Sequence, residues 1–252
     1  MSIILKNFSI RKNYHGVLSL GKKTLVISTI FFLITIIFFD LTDVDVFLQD
    51  KLYWFEQKRW LFDDNATKKF YYYTLIKVPI YFIGLFALYK VILGWRKKIN
   101  YGEMRKYLII FLTLAILPTT IALVLKKAIN VQCPSDIPRY GGNTPYVKLF
   151  EKYPPNPKSL DGKWPNGHCW PAGHCSGGFA LLSLWMLAKN RRQQIYAILF
   201  SLAFAIPMAW YQTVRGNHFL SHTLSTLFMA LMLISALNLI LKKEDNHEPK
   251  NN

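Results

Sequence analysis

Four histidines in this chain, His168, His174, His218 and His222, stand in short segments that also hold cations and small residues. One segment is Pro171-Ala172-Gly173-His174. Another is Arg215-Gly216-Asn217-His218-Phe219-Leu220-Ser221-His222. A third cluster opens with Lys126-Lys127 and continues through Cys133-Pro134 to Arg139. These residue types suit phosphoryl transfer. An imidazole can attack phosphorus, and water can then hydrolyse the phosphohistidine. A second imidazole can protonate the leaving oxygen. Lysine, arginine and the free N–H groups of a helix start stabilise charge on phosphoryl oxygens. Residue types alone leave open which of these imidazoles attacks, which protonates and which orients. Lys126 and Arg215 bind phosphate with help from the backbone at Gly173 and His174, and Lys127 and Arg139 are supplementary cations. Lys127 serves equally as an interfacial lysine, Arg139 as an exposed loop cation beside Gly141-Gly142, and Asp136 as a turn residue. His168 reads as a loop contact.

No metal or other cofactor is expected. The stretch His168–Cys175 holds two histidines and two cysteines, but not the cysteine pair two to four residues apart that zinc sites use.

The clusters lie far apart in sequence, so the fold must converge them. The chain has 252 residues, of which 52% are hydrophobic and 18% charged, with 31 Lys+Arg against 14 Asp+Glu for a net charge of +17. This hydrophobicity excludes disorder. Three cysteines in a chain of this length exclude a small disulfide framework. The basic residues are scattered through short segments, which argues against a nucleic-acid partner. Apolar runs at Leu25–Phe39, Leu75–Trp95, Tyr107–Leu125, Cys175–Ala188, Ile195–Tyr211 and Phe219–Leu241 predict six helices. The fourth is short for a span. Lys77 and Lys90, near the ends of the second run, are read as snorkelling lysines. The predicted fold class is all-α, an integral membrane bundle of six transmembrane helices, with residues 1–252 forming one domain in the bilayer.

Charge asymmetry orients the bundle. Lys6, Arg11, Lys12, Lys22 and Lys23 in a cytoplasmic arm (1–23), the loop RKKINYGEMRK, Lys189, Arg191 and Arg192, and a tail (242–252) opening on Lys242 and Lys243 all read as inside. The acidic first loop (Asp40, Asp43, Asp45, Asp50, Glu56, Asp63, Asp64), the segment 126–174 and the turn at Gly216 then face outward, so the site clusters meet at the periplasmic face. Segment 126–174 is expected to cap the site, and the first-loop aromatics, such as Trp54 and Trp60, to anchor at the headgroups or line a lipid entrance.

The motifs resemble the type 2 phosphatidic acid phosphatase superfamily, in its six-helix membrane branch. Its first motif is Lys, six residues, then Arg-Pro; here Lys126 is followed at that distance by Cys133-Pro134. Its second, Pro-Ser-Gly-His, is here Pro171-Ala172-Gly173-His174. Its third is Ser-Arg, five residues, His, three residues, Asp; here His218 is the histidine, His222 stands for the aspartate and Gln212 for the arginine. Arg215, one turn from Gln212, can point a cation from the same face. The resemblance then implies that His218 is the nucleophile, that His222 orients it and that His174 is the general acid. A register with His222 as nucleophile and Arg215 as the motif arginine is one residue too long. The Gly-Asn-His-Phe-Leu-Ser stretch is similar to lipid A phosphatases. The resemblance implies a metal-free lipid phosphatase of the bacterial inner membrane, with lipid A favoured over undecaprenyl pyrophosphate or a phosphatidic acid-like phospholipid. Phosphotransfer to another lipid uses the same intermediate, and an anionic-lipid transporter or an inactive relative is the reading from a different class. An outside location permits a disulfide, either Cys133–Cys169 or Cys169–Cys175. No oligomeric state follows from the sequence.

Overall fold

Helix α1 (Lys22–Leu41) carries an uncharged, largely apolar run from Leu25 to Phe39 without glycine or proline, the composition that favours helix in a medium with no competing water. Its residues Val26, Ile30, Phe31, Ile34 and Ile37 are half exposed, a continuous apolar face that suits lipid rather than water. The hydroxyls of Thr29 and Thr35 bond to carbonyls one turn back, so they reach the apolar medium satisfied. The computed structural model describes residues 21–62 and 65–242. The arm with Lys6, Arg11 and Lys12, the pair Asp63 and Asp64, and the tail from Lys243 lie outside the described residues.

After α1 come α2 (Val44–Asp50) and a two-residue hairpin, β1 (Tyr53–Trp54) paired antiparallel with β2 (Arg59–Trp60). Then follow α3 (Ala66–Trp95), α4 (Tyr101–Ala128), α5 (Ser176–Leu187), α6 (Arg191–Thr213) and α7 (Leu220–Lys242). Asn100 and Asn190 start α4 and α6 by accepting hydrogen bonds from the backbone N–H groups of Glu103 and Gln193. The described chain is helical, and five helices (α1, α3, α4, α6 and α7) are long and apolar enough to cross a bilayer.

The fourth predicted span differs. Short for a span as its sequence indicates, α5 has five α-helical residues followed by seven in tighter 3₁₀ form within the predicted Cys175–Ala188 run. It is enclosed by α4, α6 and α7, with Phe179 through Ser183 buried, so its apolar character comes from the bundle core and not from lipid contact. Its small N-terminal residues permit close approach. A Cβ on Gly178 would lie 2.6 Å from the Cα of Ala205 in α6, so α5 and α6 touch backbone to backbone there.

Two of the long helices are locally widened. In α3, Phe70–Thr74 forms a π turn, followed by a 3₁₀ turn to Lys77. In α4, Ile121–Leu125 forms a π turn just after Pro118, whose missing N–H breaks the ladder, and Lys126 follows it. Between α4 and α5 the chain runs without a long helix, as a packed cap with short 3₁₀ turns at Pro134–Asp136 and Pro138–Tyr140. Tyr53, Trp60 and Tyr140 form an aromatic cluster that joins the hairpin to this cap. Tyr53 and Trp60 thus pack on protein, whereas Trp54, Phe55 and Tyr71 remain exposed.

Candidate active site

The second and third sequence clusters meet at the start of α5. Backbone bonds Cys169 N–H to Val131 O (3.0 Å) and Ala172 N–H to His222 O (3.1 Å) hold 169–172 between the cap and α7. Thr226 Oγ1 donates to Ala172 O at 2.9 Å, and Ser176 Oγ caps Gly173 O at 2.6 Å. A disulfide joins Cys133 to Cys169, tying the first cluster to the second; Cys175 is free and buried. That selects one of the two pairings left open by the sequence.

The third cluster is set by a tight turn. Gln212, in the place of the resembled arginine, accepts from Asn217 Nδ2 at 2.6 Å and bonds its N–H through the backbone. Gly216 has φ of +73° and lies against Trp60, with a Cβ placed only 2.2 Å from the indole, so glycine is required twice over. Asp45 of α2 reaches across to accept from Ser221 N–H at 3.0 Å, capping α7 from another element. Buried there, its carboxyl is raised to about 6, burial outweighing the bonds from Ser221 and Leu220.

His174 Nδ1 and His218 Nε2 lie 3.2 Å apart, one ring donating to the other. His218 is almost fully buried, while His174 is half-buried and opens onto two cavities. Burial, with Lys126, Lys77 and Arg215 nearby, lowers His174 to about 3. Burial, then the neighbouring His222, His174 and Lys126, pushes His218 well below the usual histidine range.

The other expected residues divide. Lys126 is brought to Gly173; a Cβ there would stand 3.6 Å from its Nζ. Arg215 lies with its guanidinium 4.8 Å from the Tyr211 ring and acts electrostatically on His174. Lys127 is exposed and lines the same cavity as Lys126. His222 is buried with its ring 5.9 Å from that of His218, but no hydrogen bond joins them and its Nδ1 has no partner, contrary to the orienting bond expected from its place in the motif. His218 Nδ1 is likewise buried without a hydrogen-bond partner. Arg139 is held elsewhere, its guanidinium bonded at two points (2.7 Å each) to Asp50, which is held below the usual carboxylate range chiefly by that bond. His168 Nδ1–H donates to the Lys126 carbonyl at 3.0 Å, closing the end of α4.

Sequence reasoning placed Lys77 at the lipid boundary. The structure turns it inward, with Nζ 3.6 Å from the Tyr73 ring centroid and that ring 5.0 Å from His174. The π turn ahead of it, which rotates the rest of the helix, has no signature in the sequence beyond the later Pro79.

Two cavities join at Gly173 and His174. One, of about 610 Å³, is a mainly apolar groove between α3 and α4, lined by Ile80, Leu85, Phe111 and Leu114. The other, of about 450 Å³, is lined by Lys126, Lys127 and His168.

Helices long and apolar enough to cross a bilayer bring paired histidines and several cations together, an arrangement that suits an anionic group. Comparison with protein families matches residues 106–245 to the PAP2 superfamily, and the chain belongs to it. Members of that superfamily are phosphatases acting on phosphate esters, often of lipids. Comparisons with curated proteins and with solved structures returned no match.

Proposed function

We propose that the protein is a lipid phosphate phosphatase working through a phosphohistidine on His218. The observation that carries this is the His174–His218 pair at the junction of an apolar groove and a cation-lined cavity. The groove takes the lipid, and the phosphate enters between the rings. His218 Nε2 forms a bond to phosphorus while the P–O bond to the lipid breaks. His174 gives its proton to the departing oxygen. Water then attacks phosphorus, His174 takes the water proton, and inorganic phosphate leaves with His218 restored. Lys126, Arg215 and the backbone at Gly173 bind the phosphoryl oxygens.

The depressed His174 fits this order of events. Burial first, and then three cations, hold it low, and a bound phosphate dianion offsets the cations, so the acid gains its proton with the substrate.

In this reading α5 is a sixth crossing. Five α-helical and seven 3₁₀ residues rise roughly 21 Å. That is less than a hydrocarbon core of about 30 Å, which leaves the site sunk below the outer surface. The chain forms one membrane domain, with 1–23 and 242–252 in the cytoplasm and 126–174 in the periplasm of a bacterial inner membrane. Lipid A is the favoured substrate, on the likeness of Gly216–Ser221 to lipid A phosphatases.

The test is expression of the wild-type chain and of H218A and H174A, followed by mass spectrometry of extracted lipids. The wild type removes one phosphate from lipid A, and both variants leave it in place. Full activity in both variants would overturn the mechanism, and loss of phosphate from a different lipid would reassign the substrate. A reporter after the exposed Leu160 that is active in the cytoplasm would overturn the topology.

A further inference from the structure

We propose that Lys77 is a direct ligand of the substrate phosphate, supplied from outside the segment that matches the family. This rests on the phosphatase reading above. Four observations support it. Lys77 lines both cavities, and only Gly173 and His174 among the histidine-cluster residues do the same, so it stands where groove and cation-lined cavity join. Its ammonium is directed inward, over Tyr73 and toward His174. Among the described residues no carboxylate forms an ion pair with it. A half-buried cation without an acidic partner is costly unless an anion arrives to meet it.

The fourth observation is a matched distortion of the backbone. Lys77 and Lys126 each come shortly after a π turn, in the adjacent helices α3 and α4. Such turns insert a residue and rotate the following side chains, and they recur at functional sites. Here both bring a lysine from a membrane-spanning helix to the same histidine.

The need for a further cation follows from two substitutions. The places of the resembled arginines are filled by Cys133, committed to a disulfide, and Gln212, committed to Asn217. Neither can offset phosphate charge. Arg215 restores one cation from within the third cluster, and Lys77 restores the other from α3.

The experiment uses the full-length chain in detergent and compares wild type, K77M and K77R. Inhibition by orthophosphate and kcat/KM on a lipid phosphate are measured beside thermal stability. Loss of a charged hydrogen bond predicts a roughly 10- to 100-fold weaker phosphate inhibition constant and a similar fall in kcat/KM for K77M. K77R, which keeps the charge, recovers to within about 5-fold of wild type. A K77M chain with wild-type phosphate affinity and kcat/KM overturns the assignment of Lys77 alone. A K77R chain as impaired as K77M, with both as stable as wild type, overturns it too. A wild type that neither binds orthophosphate nor hydrolyses a phosphate ester overturns the phosphatase reading and this inference with it.

Discussion

Gly173→Ala separates the site from the fold. Gly173 has no left-handed backbone, so alanine meets no conformational barrier there. The added Cβ would stand 3.4 Å from Lys126 Cε, 3.5 Å from Ile121 Cγ2 and 3.6 Å from Lys126 Nζ, all ordinary contacts. The expected change in stability is therefore within about 1 kcal/mol. Activity is another matter. The methyl occupies the space between the Gly173 backbone and the Lys126 ammonium, where both must close on one phosphoryl group. Removing one such preorganised donor costs roughly 100- to 1,000-fold in rate, or about 2.7–4 kcal/mol of transition-state stabilisation. Gly178→Ala gives the opposite signature, because its Cβ would lie 2.6 Å from the backbone of Ala205 and force α5 from α6. Purified variants are compared by thermal unfolding and by kcat/KM on a lipid phosphate. A Gly173→Ala chain that melts with wild type and keeps full kcat/KM would refute the placement of phosphate between Gly173 and Lys126.

Two further predictions concern acidity. With His174 lowered to about 3, the unfolded chain takes up a proton between about pH 6.5 and 3 that the folded chain refuses, so stability falls as pH drops through that window. At pH 5 the loss is on the order of 1–2 kcal/mol, reduced by the ring's open side; orthophosphate diminishes it, and an H174Q chain whose melting point falls as steeply from pH 7 to 5 would contradict it. Asp45 acts in the other direction. Its carboxyl is raised from 3.8 to about 6, so the folded chain holds the extra proton and stability is lost as pH rises through that range, about 3 kcal/mol by pH 7. Asp45→Asn keeps an acceptor for Ser221 N–H and is expected to melt higher than wild type at pH 7, with the gain gone near pH 4; a lower melting point at pH 7 would show that the carboxylate charge on α7 outweighs its burial.

How much was legible in the sequence depended on whether a residue acts through its neighbours in the chain or through a distant contact. The apolar runs announced the five long helices because hydrocarbon imposes length and composition on each helix separately. The histidine segments announced themselves because each holds its small residues, cations and imidazoles within a few positions. Arg139 is exposed, one of its two readings, but its ion pair was not foreseen because its partner, Asp50, sits far back in the acidic first loop, and no local pattern links them. That α5 is enclosed by its neighbours was not legible, because a helix buried among helices is as apolar as one facing lipid and composition alone cannot separate the two. Lys77 shows the same limit at the site itself. A lysine near the end of an apolar helix has an ordinary interfacial reading, and only the π turn before it, a feature of backbone geometry, rotates it toward His174. The departures at Cys133 and Gln212 then become intelligible together. Each makes a structural bond that holds a cluster in place, the disulfide to Cys169 and the amide bond to Asn217, and so is committed away from any anion. In the proposed site the cations come instead from Arg215 in the next turn and Lys77 in another helix, and a motif read as positions around phosphate, rather than as a string of residues, accommodates both.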